Sequence, residues 1–330
     1  MEINVEIMEK YLEKKLVQVN AQMKRLLQSE EASMKKIIDW LLKEKGKQLR
    51  PRMLLASAAY CNEQVDVTEF AAMIEIVHMA TLVHDDVIDQ ADLRRGRMSV
   101  QKKFGMKAAI YTGDFMLFSM MYHATVKVDE KYRELLHTMN KLCNGELGQN
   151  TNVYNTDMTI ETYIKNIEGK TASMFELATT AGAMICDGAE QVKNNLGEFG
   201  KNFGILFQIQ DDLLDIVGDK KSMGKPKHQD FANGIYTLPV LIALKDKKCK
   251  KGLLHIKEKV KKDGMSQEYA DEITSYIQQA NGFEKSMDVI NQFYEKADKA
   301  LNILGNTRET EYFRKLLQEV YGNICAMINL

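Results

Sequence analysis

Six aspartates in two matching arrangements are the residues of this sequence best suited to chemistry. Asp85, Asp86 and Asp89 form one Asp-Asp-x-x-Asp cluster, and Asp211, Asp212 and Asp215 form a second. On a helix this spacing sets the first and last carboxylates one turn apart on the same face. Three like charges so placed repel one another unless a cation lies among them. Ile76–Val83 precedes the first cluster and Phe203–Phe207 leads into the second, so both sit in apolar sequence. Carboxylates buried there without partners are costly, so these must line a wet cleft or hold metal. An all-carboxylate donor set suits a hard, oxygen-seeking ion. Mg2+ usually keeps waters and completes its shell with phosphate oxygens. The chemistry indicated is metal-assisted work on a diphosphate.

Such a substrate needs basic partners. Arg94 and Arg95 lie just past the end of the first aspartate helix, where guanidinium forks reach phosphate oxygens beyond the metal. Lys47 and Arg50 flank a second loop, Lys170 stands beside Thr171, and Lys225 follows Gly224. Each alone reads as a solvated charge or a helix-terminal complement. Together with six aspartates they describe two anion sites flanking a metal cluster. Glu75–His78 and Glu134–His137 both have the Glu-x-x-His spacing of di-iron bundles. That reading leaves the six aspartates unexplained.

The elements that must position these groups are helices. Only three prolines occur, Pro51, Pro226 and Pro239, so residues 52–225 lack the strongest helix breaker. Apolar spacing there is helical: Ile74, Val77, Thr81 and Ile88 fall on one side, as do Leu177, Ala181 and Met184. Loops are expected at 45–51, 61–67, 92–96 and 150–159, with the longest at 218–234. With no repeat and no linker, the chain reads as all-α, a single domain over 1–330.

Composition narrows the function. Charged residues make up 28% and net charge is −1, which argues against nucleic-acid binding. Five widely spaced cysteines suggest neither a zinc ribbon nor a disulfide framework. The acidic start lacks a secretory pattern and no 18-residue uncharged apolar stretch appears, so a reduced, cytoplasmic location is expected. Lysines crowd 245–262, a solvated helix or a weak membrane-surface contact.

These motifs bring a family into view. The sequence resembles trans-prenyl diphosphate synthases over essentially its whole length. The resemblance lies in His84–Asp89 followed by Arg94-Arg95-Gly96-Arg97, in Tyr111-Thr112-Gly113-Asp114, in Gln208–Asp215, and in Gly234-Ile235-Tyr236-Thr237-Leu238-Pro239. Within the family it is most similar to the catalytic large subunit of two-component heptaprenyl diphosphate synthases. The resemblance implies an isoprenoid-synthase helical bundle around a central cavity. It implies that Asp85, Asp89 and Asp211 bind three Mg2+ bridging an allylic diphosphate, with Asp86, Asp212 and Asp215 in support. Arg94, Lys170, Thr171, Gln208 and Lys225 would hold the allylic diphosphate; Lys47, Arg50, His78 and Arg95 would hold isopentenyl diphosphate. It further implies a homodimer, or a heterodimer with a small subunit. The sequence departs from the family pattern at Lys45, Gln48, Gln90 and Met98. Ile235 replaces a frequent lysine, which removes one expected allylic contact and no metal ligand. A shorter-chain farnesyl or geranylgeranyl diphosphate synthase, or a non-catalytic partner subunit of the same fold, is the alternative.

Product length depends on the residues preceding Asp85. Thr81, Ala80 and Val77, one to two turns earlier, are not aromatic, so nothing there closes a tunnel to a growing chain. A product longer than geranylgeranyl is expected. Ala80→Phe should shorten it, as read by chromatography of the dephosphorylated products; an unchanged length would remove Ala80 from the tunnel.

Overall fold

Proline-free sequence becomes helix almost throughout. The computed structural model describes residues 2–44, 46–126, 130–218 and 227–329. They form sixteen helices: α1 Glu2–Leu26, α2 Ala32–Leu41, α3 Leu49–Asn62, α4 Thr68–Ile88, α5 Val100–Phe104, α6 Met106–Thr125, α7 Glu130–Thr151, α8 Ile160–Ile167, α9 Ser173–Ile185, α10 Glu190–Val217, α11 Gln229–Ala232, α12 Leu238–Lys245, α13 Lys247–Asp263, α14 Gln267–Gln279, α15 Gly282–Leu304 and α16 Arg308–Ile328. Pro51 falls in the first turn of α3, where a missing N–H costs nothing. No described helix is long and apolar enough to cross a membrane.

The chain divides into two units. The first comprises Met1–Met139, Leu177–Leu196 and Asn306–Tyr312. Its centre is α4, in which every residue from Phe70 to Val77 is buried, so no single apolar stripe describes it. Helices α1, α3 and α6 pack around it. The expected apolar side through Ile74, Val77 and Thr81 does not extend to Ile88, which is 77% exposed. The last turn of α4 has emerged from the core.

After α4 comes a hairpin pairing β1, Leu93–Arg94, with β2, Arg97–Met98, the one strand pair among the described residues. Its two-residue turn has positive φ at both Arg95 (50°) and Gly96 (76°), the mirror-image turn whose twist suits paired strands. Arginine at such a position is sterically disfavoured, and it puts Arg95 at the tip.

The second unit comprises Asn140–Glu176, Gly197–Gly305 and Phe313–Leu330. Phe175, Phe199, Phe203 and Phe313 are buried and stack in a chain of ring contacts 4.9–5.8 Å apart. All of α12 except Lys245 is buried among α13, α14 and α15. Between α8 and α9 the chain widens into a single π-helical turn, Glu168–Ala172. Such turns insert a residue into a helix and rotate the next stretch of chain about the axis. Glycines let neighbours approach this turn: a Cβ on Gly145 of α7 would fall on the Lys170 amide nitrogen, and one on Gly204 of α10 would lie 2.6 Å from the Ala172 Cα. The lysine-rich stretch is α13, whose apolar side (Cys249, Leu253, Ile256, Val260) is buried. That leaves only charge for contact with a surface.

The Gly145 contact is testable. Gly145→Ala adds helix propensity worth about 1 kcal/mol but forces overpacking that costs roughly 1–3 kcal/mol. A net loss in the urea midpoint is expected. Gly322→Ala on α16, where nothing lies within 4 Å of the added Cβ, should show only the gain.

Candidate functional site

Both aspartate clusters occupy the C-terminal ends of helices. Asp85 and Asp86 lie in the last turn of α4, and Asp89 is its C-cap; Asp211, Asp212 and Asp215 lie in the last two turns of α10. Neither helix carries a basic residue in its last turn. A helix C-terminus is the negative end of the backbone dipole, so carboxylates there lose about 0.3–1 kcal/mol each. Carboxylates one turn apart repel by on the order of 3 kcal/mol at an effective dielectric near 20. Cations must offset this.

Within each cluster the members differ. In the first, Asp86 is buried while Asp85 is half-buried and Asp89 exposed. Arg94 from the hairpin donates from Nε and Nη2 to Asp86 Oδ1, at 2.8 and 2.7 Å. Gln101 Nε2 donates to the Asp86 carbonyl at 2.5 Å and to the Ala91 carbonyl at 3.0 Å. Asp86 is therefore held by the protein; Asp85 and Asp89 face outward. Next to them the His84 imidazole fills the space a Cβ would take on Gly113. Its Nε2 lies 3.4 Å from Asp114 Oδ1. This explains Gly113-Asp114 as a packing motif between α4 and α6.

The second cluster, in the second unit, repeats the division. Asp211 is exposed, and Asp212 and Asp215 are buried. Tyr163 of α8 donates its hydroxyl to Asp212 Oδ2 at 2.6 Å, and Gln208 Nε2 donates to Oδ1 at 2.8 Å. Thr171 in the π turn donates to Gln208 Oε1 at 2.6 Å, which orients that amide. Burial pushes the Asp212 carboxyl up to about 6, against the two hydrogen bonds that favour its charge; Asp211 adds to the rise and Lys170 opposes it. The Tyr163 hydroxyl is pushed well above its usual value by burial and by Asp212. Asp215 Oδ2 accepts the Asp230 amide at 3.0 Å, and its carbonyl accepts the His228 amide at 2.8 Å. Lys170 Nζ lies 3.3 Å from Glu146.

The Gly-x-Tyr-Thr-Leu-Pro motif shapes the same region. Tyr154 donates to the Ala232 carbonyl at 3.0 Å, and its ring occupies the space beside Gly234, whose φ is +77°. Thr237 then starts α12. Ile235 is half-buried, its amide bonded to the Asp230 carbonyl at 2.7 Å.

In the first unit the basic residues converge. Gly46 and Gln48 both have positive φ (57° and 47°), turning the chain at exposed Lys47. A Cβ on Gly46 would fall on the Arg95 guanidinium, so the hairpin tip lies against this loop. Gln48 is buried and donates to Asn20 of α1 at 3.2 Å, a structural use of the position. Arg50, half-buried, is pushed down to about 10 by burial and partly restored by Glu75. His78 is pushed well below its ordinary value by burial and then by Arg50, Arg95 and Arg94. Four of the expected isopentenyl-site residues thus share one neighbourhood, with His78 a neutral imidazole among cations.

The remaining expected positions are plain. Val77 and Ala80 are fully buried, and Thr81 is half-buried, its hydroxyl donating to the His78 carbonyl at 2.8 Å. Lys225 lies outside the described residues. Glu134 and His137 are exposed, so the second Glu-x-x-His pair is a solvated helix face. Two residues of the region carried no sequence signal of their own. Tyr163 reaches Asp212 from 49 positions away, and Gln101 reaches Asp86 from a separate short helix. Glu75 carried one only as half of a different motif.

The donor set fits a hard divalent cation: Asp85, Asp89 and Asp211 are accessible carboxylates at helix ends without a basic residue in the last turn. Comparison with known proteins agrees. Residues 31–277 match the polyprenyl synthetase family. The chain is 34% identical over 270 residues to heptaprenyl diphosphate synthase component 2 of Bacillus subtilis, covering 81% of this chain and 76% of that protein. It superposes with a TM-score of 0.85 on heptaprenyl diphosphate synthase from Staphylococcus aureus (27% identity, 94% and 98% covered). A polyprenyl synthase from Caulobacter crescentus CB15, complexed with calcium and isoprenyl diphosphate, superposes at 0.83 (26% identity, 96% and 97% covered).

The Tyr163–Asp212 bond yields a signed expectation. A carboxyl raised above its unfolded value binds its proton more tightly when folded, so its contribution to stability falls as pH rises from about 4 towards 6. Tyr163→Phe removes a donor that favours the charged form. It should cost roughly 1–3 kcal/mol at pH 7.5 and clearly less at pH 5, measured by urea unfolding without metal. Equal losses at both pH values would show that the hydroxyl does not serve the ionised carboxylate.

Proposed function

The chain belongs to the polyprenyl synthetase family and is a prenyltransferase, and from that premise we propose that it condenses isopentenyl diphosphate with an allylic diphosphate, dependent on Mg2+, to make a long-chain, heptaprenyl-like polyprenyl diphosphate. The observation that carries this reading lies within the first unit. Asp85 and Asp89 close α4, and the same helix carries His78 under the influence of Arg50 and Arg95, which supports a cation site beside an anion site. The name of the Bacillus subtilis relative, a component 2, supports a second, small subunit as partner; a homodimer is the alternative assembly.

In this reading Asp85, Asp89 and Asp211 would hold Mg2+, while Asp86, Asp212 and Asp215 fix the helix ends that carry them. The metal, when bound, neutralises charge on the departing diphosphate. Lys170, Thr171, Gln208 and Lys225 bind the allylic diphosphate. Arg94, in the first unit, keeps N–H groups not given to Asp86 that suit a phosphate oxygen. Arg50, Arg95 and Lys47 bind isopentenyl diphosphate through charge, and His78 offers a neutral N–H. The isopentenyl double bond attacks the allylic carbon as its C–O bond breaks, and the proton lost from the isopentenyl unit goes to the released pyrophosphate. No side-chain base is required. Apolar residues behind Asp85, Val77 and Ala80 among them, keep water from the allylic cation and border the growing chain.

Purified protein supplied with Mg2+, isopentenyl diphosphate and a series of allylic primers, with and without a candidate small subunit, tests the proposal. Products longer than geranylgeranyl, abolished by EDTA and by Asp85→Asn or Asp211→Asn, are expected. Accumulation of farnesyl or geranylgeranyl diphosphate under both conditions would assign the shorter-chain activity instead.

A further inference from the structure

One charged group in the first unit has no place in this mechanism. Glu75 lies in the middle of α4, in a run from Phe70 to Val77 that is otherwise apolar and wholly buried. Its side chain is 5% exposed, and Oε2 has no hydrogen-bond partner among the described residues. A carboxylate placed there is costly, where an apolar residue would be favourable, unless it is compensated. Burial holds it up to about 7, and the charges opposing that rise are Arg50 and Arg95.

Those two guanidiniums belong to the pocket assigned above to isopentenyl diphosphate. Glu75 and His78, three residues apart on one helix, lie on the same face. Burial lowers Arg50 to about 10, still charged near neutral pH, and Glu75 is the group that opposes the fall. The buried carboxylate thus acts on Arg50 and on Arg95, and Arg95 lies against the loop of Gly46 and Lys47. An anion pocket with an internal acid is unexpected on charge alone, since a negative group lowers the attraction for a diphosphate. It is expected if the acid sets the direction of the cations.

We propose that Glu75 is a positioning residue for isopentenyl diphosphate, orienting Arg50 and, with it, Arg95 so that their N–H groups face the incoming diphosphate. It touches neither substrate nor metal and acts through the arginines. The inference rests on the pocket proposed above, and its test separates the two.

Isopentenyl diphosphate binding is measured by calorimetry without allylic substrate, and steady-state KM values are then taken for each substrate. Wild-type protein that binds no isopentenyl diphosphate would overturn the pocket itself. With wild-type binding established, Glu75→Gln, which keeps shape and removes charge, should weaken isopentenyl diphosphate binding at least tenfold and leave the allylic KM unchanged. Glu75→Asp, which keeps the charge but withdraws it, should fall between. In an Arg50→Lys background, Glu75→Gln should add little, because the residue through which it acts is already altered. Tighter or unchanged binding in Glu75→Gln would overturn the proposal, as would equal changes in both KM values or full additivity with Arg50→Lys. If Glu75→Gln does not fold, Glu75→Asp decides: wild-type affinity there overturns the proposal.

Discussion

Carboxylates crowded at the negative ends of two helices are the constraint on which the rest of this structure depends. Helix geometry brings Asp85 near Asp89 and Asp211 near Asp215, and the backbone dipole adds to their repulsion. The protein relieves only part of that cost. Arg94 neutralises Asp86, and Tyr163 with Gln208 satisfies Asp212. Asp85, Asp89 and Asp211 are the more accessible carboxylates of the two clusters, and their charge at a helix end favours a cation nearby.

Many local features serve to deliver those partners. The hairpin returns the chain so that Arg94 reaches back to Asp86 while Arg95 lies on Gly46. Its left-handed arginine is local strain held in place by what the tip contacts. The π turn at Glu168–Ala172 sets Thr171 against Gln208, and the glycines of α7 and α10 let that turn pack closely. Tyr154 and Gly234 lock the segment whose Asp230 amide binds Asp215. Each gives up an ordinary backbone preference and places, directly or through Gln208, a donor at a carboxylate.

The pocket of Arg50, His78 and Arg95 obeys the complementary logic. Burial, and after it the nearby guanidiniums, suppress protonation of His78, so it can serve an anion as a hydrogen-bond donor but not as a charge. Burial lowers Arg50, and Glu75 opposes the fall.

How much of this is legible in the sequence divides along a physical line. Residue type and spacing within one turn of helix determined the two Asp-Asp-x-x-Asp clusters, the preference for a hard cation, and the helical class, because these depend on local geometry alone. The basic candidates Lys47, Arg50, Arg94 and Arg95 were visible as residues, but their grouping came only from family resemblance. Tertiary structure alone decided that Asp86 and Asp212 are spoken for by the protein, that Tyr163 and Gln101 serve them, and that Ile88 points to solvent. It also decided that the residues after α4 form a hairpin. The reason is distance along the chain: a hydrogen bond across 49 residues leaves no periodicity to read, and burial of one aspartate in a pair differs from its neighbour only once the packing is complete.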